Sequence, residues 1–166
     1  MKLKELADKE IELHSKVTLL EGTIEYKEHF VLNSGIPEQY KRIHAQYSQL
    51  AHSENEALKR GLFIQWYSLA EPLWLSGISE LSKDSEQKII SILNDKILAG
   101  KVDNELKWML EYYLDWDWVF KKYEGLPGID KAIRERKNEM PDHINSEEMN
   151  QRGQMGIYWN SISIWE

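Results

Sequence analysis

Asp117 is the residue of this chain best placed to do chemistry. In a continuous helix from Asn104 to Glu124, each side chain is turned about 100° from the last. Leu106, Met109, Leu110, Tyr113, Trp116 and Phe120 then share one face, and Asp117 falls in the middle of it. A carboxylate in such a place needs hydrogen-bond donors, or desolvation raises its pKa until it takes up a proton. Acids held that way occur at ligand and catalytic sites. The competing reading is a structural carboxylate satisfied by its neighbours, or a helix turned so that it reaches solvent.

A second segment carries a matching irregularity. The helical pattern that starts at Ser53-Glu54-Asn55-Glu56 and runs to about Ala70 has Gly61, Gln65 and Ser68 along the centre of its apolar face. Gln65 offers both a donor and an acceptor to a buried acid. Glu71, just before Pro72, extends the strip. The expectation is one internal polar cluster of Gln65, Ser68, Glu71 and Asp117, walled by Trp66, Trp74, Tyr113 and Trp116. Acids enclosed by aromatic rings suit a cationic ligand.

Other chemistries find less support. Glu10/His14 and Glu25/His29 are spaced i, i+4, whereas helical di-iron sites use Glu-x-x-His paired across helices. His44 and His52 lie two turns apart, and no HExxH occurs. The chain has no cysteine, which removes disulfides, thiolate zinc sites and cysteine nucleophiles. It lacks G-x-S-x-G and a glycine-rich phosphate loop. Asp115 and Asp117 point about 160° apart on a helix and cannot form a dyad there. Lys131, Arg134, Arg136 and Lys137 read as a solvated face diluted by Glu135. No metal and no cofactor is expected.

The elements that would position these residues are helices. Residues 1–32 read as one long helix with a coiled-coil-like seam of Leu3, Leu6, Leu13, Val17, Leu20, Ile24 and Val31, broken by Glu10 and Lys27. Gly22 is its weak point. Asn33-Ser34-Gly35 stops it, and Pro37 suits the first turn of the next helix, which runs to about His52. Ser85–Ala99 and Asn104–Glu124 follow, each with a cap residue before it and a glycine after it. A polar helix is expected over Ile129–Glu139, and a short one after Ser146. From Gly153 to Glu166 isoleucines alternate with serines beside Tyr158, Trp159 and Trp165, which reads as an extended segment docked on the helices.

Bulk properties narrow the class. A chain of 166 residues with 42% hydrophobic and 11% aromatic content is one domain with a real core. Its net charge of −7 opposes binding to nucleic acid and to anionic membranes. The charged N-terminal stretch has no signal-peptide pattern, and the most apolar run, Leu62 to Leu81, is interrupted by Gln65, Glu71 and Pro72. A cytoplasmic protein is expected.

Together these features predict an all-α fold, a bundle or irregular array of about five to seven helices. It has a long N-terminal helix (1–32), a helical core (37–139) and a docked aromatic C-terminal segment (153–166). The function that fits is a non-enzymatic protein-interaction module of adaptor or inhibitor type. Its partner is another protein or a second copy, a homodimer, met through the heptad seam together with Trp159 and Trp165. The alternative is a small-molecule binder or enzyme built around Asp117.

Overall fold

A computed structural model describes residues 2–162, and among them it contains helices and no strand. The N-terminal arm forms in two pieces, α1 (Leu3–Thr18) and α2 (Ile24–Asn33). Gly22 takes φ +123°, a left-handed conformation that only glycine adopts easily. Thr23 then restarts the helix, its hydroxyl accepting the Tyr26 N–H at 3.2 Å. The break falls at the weak point of the pattern.

Pro37 opens α3 (Ile36–Leu50) as its type and position predict. The next helix, α4 (Asn55–Ala70), begins after Glu54, but the capping box expected at Ser53 does not form. Ser53 Oγ bonds back to the Leu50 carbonyl instead. Every residue of α4 from Ala57 to Tyr67 is buried, which makes it the central helix. The single turn α5 (Leu73–Ser76) follows Pro72 and ends at Gly77, φ +75°. Gly77 faces Val17 so closely that a Cβ would stand 2.9 Å from its Cγ2.

Next come α6 (Lys83–Leu98), α7 (Asn104–Tyr113), the single turn α8 (Asp117–Phe120) and a 3₁₀ turn over Lys121–Tyr123. Asp103 caps α7 as expected, its Oδ1 accepting the Leu106 N–H at 2.7 Å. The helix expected from Asn104 to Glu124 nevertheless ends ten residues in. Trp116 leaves the helical region (φ −92°, ψ 75°) and sets its ring edge-on against Trp66, 5.0 Å between centroids. Tertiary aromatic packing here overrides a local pattern that contains neither Gly nor Pro.

The chain closes with α9 (Pro127–Arg134), the single turn α10 (Ser146–Met149) and α11 (Gly153–Ile162). The helix expected over 129–139 lies earlier, starting at Pro127. The C-terminal segment docks on the core as expected, but its described part is helical rather than extended. Met155 and Trp159, one turn apart, are both fully buried. The alternation of Ser161 with the isoleucines lies at the end of the helix and beyond. Gly156 lets α11 meet α10, since a Cβ there would overlap the Met149 carbonyl oxygen. Trp165 lies outside the described residues.

The core is one connected cluster that draws on every helix from α1 to α4, on α6 to α11, and on the turns between them. α1 rests on α3, α5 and α11, while α6 packs on α3, α4 and α9. Gly61 brings α4 and α6 together, with Ile89 Cδ1 only 2.7 Å from where a Cβ would be. None of the described helices is long and apolar enough to cross a membrane.

Candidate functional site

The polar cluster expected around Asp117 does not assemble. Because the helix breaks at Trp116, Asp117 begins α8 and is exposed. It opens onto a shallow groove of about 320 Å³ beside Asp115, Lys121 and Arg136. At the first position of a helical turn, a carboxylate also meets favourably oriented N–H groups. Gln65 is buried elsewhere, its Oε1 accepting from His44 Nε2 at 2.9 Å. Ser68 turns back to the Gln65 carbonyl at 2.8 Å. Glu71 is half-buried, and desolvation raises its pKa above the ordinary carboxylate value.

Three of the four expected aromatic walls do come together. Trp66 stacks on Tyr113 at 4.7 Å and meets Trp116 edge-on. Tyr158 and Trp159 of α11 join them, and Tyr158 and Tyr112 share a hydroxyl hydrogen bond of 2.5 Å. These rings weld α4, α7 and α11 into the core. Trp74 lies apart, beneath the Lys27 ammonium at 5.9 Å.

Among the described residues the acid shut off completely from solvent is Glu10. It is fully buried and accepts hydrogen bonds from the Tyr47 hydroxyl and, at 3.1 Å, from the Gln154 backbone N–H. The neighbouring Gly153 has φ +64°, and a Cβ there would stand 2.8 Å from the carboxylate. Glu10 therefore caps the start of α11 from across the fold. Burial pushes its pKa up to about 7, against the pull of Tyr47, Gln154 and Arg60. Its signal was present in the sequence: Leu6, Glu10, Leu13 and Val17 recur at helical spacing, so Glu10 shares their apolar face. His44 is similar, in phase with Tyr40 and Tyr47 on α3. It is fully buried, and desolvation lowers its pKa to about 4.

A second charged network fixes the same helix from outside. Arg152 forks onto two carboxylates, reaching Glu56 at 2.6 and 2.8 Å and Glu105 at 2.6 and 3.0 Å. Lys59 pairs Glu105 and Asp103, both at 2.9 Å. Arg60 binds Glu56 at 2.7 Å and the Leu3 carbonyl at 2.9 Å. These ion pairs floor a polar cleft of about 850 Å³ between α1 and α10. The three bases are each held by carboxylates of the chain itself, so the arrangement does structural work.

The heptad seam also turns inward. Leu6, Leu13, Val17 and Val31 are buried against the chain's own helices, and Leu3 and Leu20 are partly covered. Trp159 is fully buried. Ile24 departs from this set: the turn at Gly22 rotates it out, and it is 55% exposed. The surface left open is α2 itself. It is anchored by Val31 inside the core and by Lys27 over Trp74, and its only fully buried residue is Val31. Leu19 (79%), Leu32 (59%), Tyr26 (53%) and Phe30 (41%) are exposed with Ile24. The Tyr26 ring lies over Gly22 and 6.3 Å from that of Phe30, forming a pair on one flank of α2, while Ile24 and Leu32 lie about 120–160° round the helix on the other.

Compared with family models, curated proteins and solved structures, the chain matches none of them.

Proposed function

We propose that this protein is a non-enzymatic interaction module, of adaptor or inhibitor type, that binds another protein through α2 and the turn before it. One observation carries this reading. Among the described residues ten large apolar side chains are exposed, and five of them lie between Leu19 and Leu32. Scattered exposed apolar residues are ordinary, but a concentration of them marks a surface that another molecule covers. A ten-residue helix is also too short to be stable alone in water. Here it packs on α3 and α5, with Ile24, Tyr26, Phe30 and Leu32 left exposed to solvent.

The test has two stages. A photoreactive benzoylphenylalanine in place of Phe30, irradiated in an extract of the organism that makes the protein, identifies what contacts α2. The affinity of that purified partner is then measured for the native chain and for the Tyr26→Ser/Phe30→Ser double variant. Aromatic residues at the centre of an interface commonly each contribute about 2 kcal/mol or more, so affinity falls at least 100-fold while helical content is unchanged. Native affinity in the double variant would refute the reading.

A further inference from the structure

Resting on that reading, we infer that the partner presents a basic amphipathic helix, an apolar stripe flanked by Lys and Arg, rather than a second copy of this chain. The charge around α2 selects it. From Leu19 to Asn33 the sequence has three glutamates and one lysine, with Lys16 before this stretch and Glu38, Lys41 and Arg42 after it. Glu21, Glu25 and Glu28 are exposed. Glu28 lies one helical turn from both Ile24 and Leu32, and Glu25 lies two turns before Leu32. Acids are thus interleaved with the apolar side chains of one flank. The single lysine, Lys27, is half-buried and held over Trp74. A partner must desolvate or pair these carboxylates as it covers the Ile24–Leu32 flank, and Lys or Arg beside its own apolar stripe does so.

The same charges disfavour self-association. A two-fold dimer brings one patch against its own copy, setting glutamates near glutamates on a chain whose net charge is already −7. An α2–α2 contact would set this repulsion against an apolar patch of only a few hundred Å², while a basic helix laid along the same patch adds charge pairing to the apolar contact. A helix is the natural complement, because α2 offers ridges of side chains that interdigitate with those of another helix.

Two synthetic 18-residue helical peptides test this. They share one leucine stripe, and the other face carries lysine in one and glutamate in the other. Each is titrated into the isotope-labelled protein while backbone amide shifts are followed. The Leu/Lys peptide should bind, with shifts centred on residues 19–33, and the Leu/Glu peptide should bind at least 10-fold more weakly. The Glu21→Gln/Glu25→Gln/Glu28→Gln variant should lose about 10-fold for the Leu/Lys peptide and most of its salt dependence. Equal binding of both peptides at α2 would overturn the basic partner but leave docking at α2 intact. Binding that ignores both Tyr26→Ser/Phe30→Ser and Ile24→Ser/Leu32→Ser would overturn docking at α2 as well. No binding of either peptide, a dimer in sedimentation equilibrium that the Tyr26/Phe30 substitutions dissolve, or binding to phosphatidylcholine–phosphatidylglycerol vesicles through α2 would each overturn the inference.

Discussion

Arg152→Met will destabilise the fold by about 3 kcal/mol at pH 7, the scale on which breaking one side of a largely buried ion pair acts. The Arg152 side chain is 12% exposed and satisfies two carboxylates, one on α4 and one on α7. Methionine fills similar space but leaves Glu56 and Glu105 facing each other without their shared cation. The pH dependence identifies the cause. The Arg152 and Lys59 hydrogen bonds hold the Glu105 pKa near 2 despite its partial burial, and Glu56 is also lowered. Groups with depressed folded-state pKa values contribute stability above their ordinary value of about 4.5, and that contribution is lost as pH falls through the folded value. The deficit of the variant should therefore shrink between pH 4.5 and 2. Urea unfolding at pH 7 and pH 3 measures it. A deficit under about 0.5 kcal/mol at pH 7 would show that the fork carries little of the fold's stability, and one that stays constant on acidification would show that its charges are not the cause.

Glu10→Gln should gain on the native protein as pH rises, by on the order of 3 kcal/mol between pH 4.5 and 8. The sign follows from the direction of the shift. Burial raises the Glu10 pKa to about 7, so the folded state holds a proton that the unfolded state releases near 4.5. Stability from this group is full below 4.5 and is lost as pH rises through 7. A shift of about 2.5 pH units corresponds to roughly 3 kcal/mol. The native curve alone conceals this, because His44 works in the opposite sense. Its pKa is lowered to about 4, so its contribution is present above about 6.5 and lost as pH falls through 4. The difference between variant and native protein isolates Glu10. A difference that does not change from pH 5 to pH 8 would mean that the carboxylate is charged throughout.

Most of the fold was legible where a single residue governs local geometry. Asp103 caps α7, Pro37 opens α3, and the chain breaks at Gly22, because each depends on its own backbone and near neighbours. The break at Trp116 was not legible. It is decided by Trp66, fifty residues away in sequence, whose ring Trp116 meets in the folded core. Asp117 was misjudged for that reason: its phase on a helix means nothing once the helix has ended. Glu10 was legible, by contrast, as an in-phase acid within an unbroken helix. Its partners Tyr47 and Gln154 could not be named, since they depend on how α3 and α11 return to α1. The helical form of 153–162 was hidden by serine–isoleucine alternation, while Met155 and Trp159 at i, i+4 carried the true period.

The α2 surface was partly visible as well. Ile24 and Val31 continue a seven-residue repeat, which suggested one seam. The turn at Gly22 sends Val31 inward and Ile24 outward. Instead of a uniform coiled-coil strip, the arm is a helix with its seam buried, followed by a helix whose exposed apolar side chains lie on two flanks.

Hydrogen exchange of the backbone amides, measured on the free protein and on its complex with the partner identified by crosslinking at position 30, most directly tests whether α2 is the binding face. The predicted result is slowed exchange confined to residues 19–33 and the adjoining α5. Slowed exchange along α10 and the Arg152 cleft, with α2 unchanged, would contradict it and move the binding site to the charged cleft.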